Sequence, residues 1–338
     1  MNRTRELASV LVALAIGLLI ALAAGEIIVR LAAPQTSLYP RWKFSKDYGA
    51  VLYENTTMVH TKPGRFSFSY GINKYGYRGE AVPISNTYER MNIIVLGDSY
   101  AFGTGVNDGE EFPAVMQRAL EPAYDVINLS VGGHGLTQQI RRFYEFGMLY
   151  DPGIVLLQFC ANDPSDNVFH KVTELDHGKF VFKETTSTIA WAKKYLSHSF
   201  LQKSQLYNFF RSRVFEVTST RKLVDARIDL GRNARDKVAA AESPEEAFYN
   251  ELLQAFARDL TKRHIRLIMI SVSGQLDGFP SIVRKVNELR NEGALEYVDI
   301  VPWFEGVTDY GSPEGHSWGT KAHALLGNKL ASVVHPSQ

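Results

Sequence analysis

A single cysteine, Cys160, stands in the 338 residues, which excludes both an intrachain disulfide framework and a thiolate zinc cluster. Lying in an apolar run, that thiol reads as a small core residue. Neither sign of charge is in excess: 37 Lys and Arg face 36 Asp and Glu, so nothing favours nucleic acid or a strongly acidic partner. No Walker loop, His-Glu-x-x-His helix or EF-hand loop is present, and no metal, nucleotide or other cofactor is expected. Internal repeats and low-complexity tracts are missing too. What remains is a chain long enough for one large domain or two smaller ones with a substantial core.

Charge is also missing from Leu7 to Gly25, a stretch that as a helix spans roughly 28 Å, about one hydrocarbon core. Arg3 and Arg5 precede it, which by the positive-inside rule leaves a short tail in the cytoplasm and carries the remainder outward. Ala21-Leu22-Ala23 with Ala24 and Gly25 would suit a signal peptidase. Against cleavage, the apolar stretch exceeds a signal core, and Ile27-Ile28-Val29 prolongs it past Glu26. Residues 1–33 are therefore expected to be a cytoplasmic tail and single-pass anchor, with the rest of the chain on the extracytoplasmic side in either case.

Residues 34–90 read as an ordered lead-in, rich in aromatic, Gly, Asn and Ser residues. Within it Phe66-Ser67-Phe68-Ser69-Tyr70 alternates like a half-buried strand, and turn-rich Gly71 to Gly79 follows. From residue 91 short aliphatic runs alternate with helical stretches, at 92–96, 125–129, 153–159, 265–271 and 297–301. That order predicts an α/β fold, a doubly wound parallel sheet of about five strands with helices on both faces. Between the third and fourth runs lie about a hundred residues, too many for an ordinary connection. They predict a helical insertion at about 164–245: Ile189 to Val217 mixes aromatic and aliphatic residues with Lys and Arg at helical spacing, and Arg221 to Ser243 is far more polar.

The first run ends in Gly97-Asp98-Ser99, which places a serine at the carboxyl end of a buried strand, where open α/β sheets bind ligands. Ser99 is a nucleophile or a cap on the next helix. A nucleophilic serine needs a base, a group orienting that base and oxyanion donors. After the second run comes Gly132-Gly133-His134-Gly135, a βα turn whose backbone N–H groups can approach a ligand. Asn162, after the third run, can donate an amide or make an Asx turn. His316 lies in Pro313-Glu314-Gly315-His316, with a carboxylate two residues earlier to orient it; the alternative is an unpartnered loop histidine. His323 falls within the terminal helical stretch 320–334, where it packs or caps. Ala101 stands where a Gly-x-Ser-x-Gly elbow needs glycine, which argues against an α/β-hydrolase.

Taken together, these blocks resemble the SGNH family of GDSL-type serine hydrolases over roughly residues 91–160 and 265–334. The resemblance implies a flavodoxin-like fold, Ser99 as nucleophile, His316 as base and Glu314 as acid. It also implies an oxyanion hole from the Ser99 N–H, Gly133 and Asn162. Two departures are visible. The acid is Glu rather than Asp and lies two residues before the histidine, leaving Asp309 as a substitute, and Trp318 replaces the asparagine that often follows the family's histidine. Asn73-Lys74-Tyr75-Gly76-Tyr77-Arg78 is similar to an Asn-x-x-Gly-x-Arg lead-in of membrane-anchored bacterial relatives, and as residues it reads as a structural turn.

The expectation is then an esterase domain at 91–338 that cleaves an acylated cell-envelope glycan or lipid through an acyl-enzyme. Two other classes fit the same residues: a polysaccharide O-acetyltransferase, in which a sugar hydroxyl replaces water, and a catalytically silent glycan-binding or scaffold protein.

Overall fold

The computed structural model describes residues 2–84, 90–185, 200–213 and 242–334. It opens with helix α1 (Asn2–Ala32), whose stretch Arg5–Ala32 is long and apolar enough to cross a membrane and is exposed over residues 5–24. The next segment forms β1 (Ser37–Tyr39), β2 (Lys43–Ser45), β3 (Gly49–Val51), β4 (Thr56–Lys62) and β5 (Phe66–Ile72). An antiparallel sheet runs in the order β1-β4-β5, and β2 pairs with β3. The alternation at Phe66–Tyr70 falls on β5, with Tyr70 fully buried.

Five parallel strands make the central sheet: β6 (Met91–Leu96), β7 (Tyr124–Asn128), β8 (Pro152–Phe159), β11 (Arg266–Ser271) and β12 (Glu296–Tyr297). Their order is β12-β11-β8-β6-β7, so the chain winds outward from β6 to β7 and then crosses back to β8 on the other side. The reversal opens a crevice between the carboxyl ends of β6 and β8, which is where such sheets place their ligands.

Period-two packing explains why these strands read as unbroken aliphatic runs, because both faces are covered. On β6, Ile94 and Leu96 meet α4 (Leu136–Glu145), α7 (Pro244–Lys262) and α8 (Pro280–Asn291). Ile93 and Val95 point the other way, into α3 (Phe112–Leu120) and α9 (Thr320–Val334). Short helices α2 (Ser99–Phe102) and α5 (Asp163–Phe169) follow β6 and β8, and α6 covers 205–213.

Two expectations need correction. The fifth run, 297–301, pairs only over Glu296–Tyr297, because the Asp299 carboxylate takes the Val301 N–H and a 3-10 turn, Val301–Phe304, begins with Pro302 in it. The region read as a helical insertion also carries a hairpin, β9 (Thr173–Asp176) and β10 (Lys179–Phe182). Its two turn residues, His177 and Gly178, both have positive φ, as a two-residue hairpin loop requires. Of the expected helical stretch 189–217, residues 200–213 form a 3-10 turn, Phe200–Lys203, and α6; the rest lies outside the described residues. So does the polar stretch from Arg221, except Glu242 and Ser243, whose hydroxyl caps α7.

Candidate active site

Ser99 begins α2 directly after β6. Asp98 caps that short helix by accepting the Tyr100 N–H at 3.0 Å, and buried Gln158 on β8 takes the Ala101 N–H at 3.1 Å. The turn is tight enough that a Cβ on Gly97 would stand 2.6 Å from the Gln158 Oε1 and 2.7 Å from the Ala101 Cβ. Glycine is thus required by close packing behind the serine.

His316 arrives from the far end of the chain. Its Nε2 lies 2.9 Å from the Ser99 Oγ, and its Nδ1 bonds the Glu314 Oε1. A two-residue spacing suffices because the loop folds on itself: the Ser312 N–H donates to the His316 carbonyl at 2.9 Å and the His316 N–H to the Glu314 Oε1 at 2.9 Å. Burial raises the Glu314 carboxyl, but the hydrogen bond and charge of His316 outweigh it and hold the group below its ordinary value. Asp309 is exposed, with positive φ, and the carboxylate on His316 is Glu314. Trp318, where the sequence departs from the family pattern, is fully buried under this loop, edge-on to Tyr100 and Phe112. His323 packs and caps: buried in α9, its Nδ1 accepts the Phe112 N–H at 3.1 Å.

Gly133 sits in the turn closed by the His134 N–H to the Val131 carbonyl, and open space adjoins it. Beside it, a Cβ on Gly132 would lie 3.6 Å from the Ser99 Cβ and 3.8 Å from the Trp42 ring, so this turn flanks Ser99. Asn162 is half-buried at the start of α5, and its Nδ2 donates to Asp166 at 2.6 Å. Cys160 is buried as expected, and burial pushes its thiol up. Behind the serine, burial raises the carboxyls of both Asp98 and Asp163, and the Asp98 charge pushes Asp163 further.

Several supporting residues come from the lead-in and were missed. Asn73 does form the turn its motif suggested, accepting the N–H groups of Tyr75 and Tyr77 and donating to the Gly79 carbonyl. Arg78 then places a guanidinium, 1% exposed, under the loop that follows α2. It donates to the carbonyls of Phe102 at 2.9 Å, Gly103 at 2.6 Å and Val106 at 2.8 Å, and pairs with Asp108 and Glu111. Tyr70, held by His60 at 3.0 Å, accepts the Gly105 N–H at 3.0 Å. Gly105 in turn abuts the acid loop: a Cβ there would stand 2.8 Å from Glu314, and the Ser312 hydroxyl donates to its carbonyl. The recurrence of Asn73, Gly76 and Arg78 in one motif was the available signal.

Ser99, His316 and Glu314 thus stand in hydrogen-bonded sequence at the switch point of a parallel sheet, an arrangement of the kind that serine hydrolases use. Neither a family profile nor a curated protein matches the sequence. Among solved structures the chain is similar to TesA, at 12% identity and TM-score 0.42 over 73% of this chain and 99% of that one. It is also similar to the psychrotrophic esterase EstA from Pseudoalteromonas sp., at 12% and 0.41 over 72% and 96%. A third is Axe2, an acetylxylan esterase from Geobacillus stearothermophilus, at 12% and 0.41 over 73% and 95%.

Proposed function

We propose that this chain is a serine ester hydrolase, anchored by α1 (within residues 1–33) and acting outside the cytoplasmic membrane on an acylated glycan or lipid of the cell envelope. The observation that carries the reading is the His316 Nε2 at 2.9 Å from the Ser99 Oγ, with Glu314 on the opposite ring nitrogen. His316 takes the hydroxyl proton as Ser99 attacks the ester carbonyl, and Glu314 stabilises the imidazolium. The Ser99 and Gly133 N–H groups, with the Asn162 amide exchanging Asp166 for the oxyanion, hold the developing charge. His316 returns its proton to the departing alcohol, then activates water to release the acid from Ser99.

The test is hydrolysis of short chromogenic esters by the full chain, followed by a screen of acetylated glycans and lysophospholipids. Activity lost in Ser99→Ala and His316→Ala is expected, with a release rate indifferent to added oligosaccharide. Full hydrolysis by Ser99→Ala would overturn the mechanism, and acyl transfer to the oligosaccharide would make the chain a transferase.

A further inference from the structure

Glu26 is the first charge after the apolar run Leu7–Gly25, at the end of a hydrocarbon-length helix where a carboxylate needs partners. It finds them up to 180 residues away. The Ser204 hydroxyl donates to it at 2.7 Å, the Gln205 N–H at 3.0 Å and the Leu206 N–H at 2.9 Å. These are the opening N–H groups of α6, so Glu26 caps that helix and meets the positive end of its dipole. More contacts widen the join. Arg30 pairs with Glu26 at 2.7 Å and donates to the Lys203 carbonyl at 3.3 Å, and the Ser212 hydroxyl donates to Gln35 at 3.2 Å. Leu206 packs on Gly25, where a Cβ would stand 3.2 Å from its side chain.

Helix α6 therefore lies against α1 where the apolar run ends. Phe210 on α6 is 59% exposed, as are Ile28 at 62% and Leu31 at 80% on α1. Nearby, the Lys203 ammonium covers the Tyr39 ring at 4.3 Å and the Arg213 guanidinium lies 5.5 Å from the Phe209 ring. Aromatic rings with long basic side chains suit the boundary between headgroups and acyl chains. With its opening N–H groups on Glu26 and Ser212 on Gln35, α6 runs alongside the end of α1, so a bilayer that takes in the apolar surface of α1 ends beside the Phe210 edge.

We propose that α6 is a membrane-contact element, latched by Glu26, whose Phe210 edge enters the interface of the leaflet from which α1 emerges. The proposal rests on α1 spanning the membrane. It makes the link between anchor and catalytic domain a fixed join, holding the sheet close to the bilayer. To test it, the full chain carrying Cys160→Ala is spin-labelled through Phe210→Cys or Leu18→Cys in nanodiscs of phosphatidylcholine and phosphatidylglycerol. Collision with oxygen and with a water-soluble nickel chelate then reports the depth of each label. Both labels are expected to favour oxygen, Leu18 more strongly, and Glu26→Ala is expected to move only the Phe210 label toward nickel. A Leu18 label in lipid with a Phe210 label in water overturns the contact while leaving the anchor intact. Both labels in water overturn the anchor and the contact with it. A Phe210 label in lipid that ignores Glu26→Ala overturns the latch.

Discussion

The carboxyl edge of the parallel sheet and the lead-in that packs beside it contribute to one site in different ways. The edge carries Ser99, the Gly132-Gly133 turn and Asn162, the groups that the proposed mechanism uses together with the Glu314–His316 loop. The lead-in supplies Arg78 and Tyr70, which grip the backbone just after Ser99 and beside Glu314. The proposed chemistry thus falls on short loops, while their relative placement is carried by a segment outside the sheet.

Substitutions along this divide should separate the two contributions. The largest effect is expected at Ser99→Ala, a loss of roughly 10⁴-fold or more in turnover with the melting temperature nearly unchanged. Arg78→Ala should act through stability instead. It strands buried Glu111 and three carbonyls, at a cost of about 3–5 kcal/mol, read by chemical denaturation of the full chain in detergent. Arg78→Lys, which cannot reproduce the planar fork, should recover only part of it. Asn162→Ala should lower kcat on the order of a hundredfold, about 2.7 kcal/mol, with a small change in KM.

The smallest effect concerns pH. Because burial raises the Asp163 carboxyl in the folded chain, the folded state keeps a proton that the unfolded state gives up. Stability therefore falls as pH rises from the ordinary aspartate range toward the folded value. Asp163→Asn should flatten that fall between pH 5 and 8 in a melting series; an unchanged slope would mean that a group other than Asp163 keeps the proton.

Most of the sheet was legible because its strands are buried on both faces, which forces continuous aliphatic runs such as Ile93 to Leu96. The residues bonded at Ser99 were legible as well, since Gly97-Asp98-Ser99 is a local cluster at a strand end and Pro313 to His316 one in the loop before the last helix. Glu314 was visible as a carboxylate near His316, but its precedence over Asp309 depended on how the Ser312–His316 loop closes. The lead-in's role was not legible for the same physical reason. Arg78 is recognisable in sequence as the end of a turn, whereas its partners at Phe102, Gly103 and Val106 are set by packing. The contact between Glu26 and α6 is more distant still in sequence, and the charge of Glu26 marks only where the apolar run stops.

The central claim is that Ser99 is a nucleophile activated by His316. Its most direct test is intact-mass and peptide analysis of the full chain after reaction with a fluorophosphonate. One adduct on Ser99 is predicted, absent in Ser99→Ala and strongly slowed in His316→Ala. Undiminished labelling of Ser99→Ala, or a wild-type chain that hydrolyses esters yet takes no label, would contradict it.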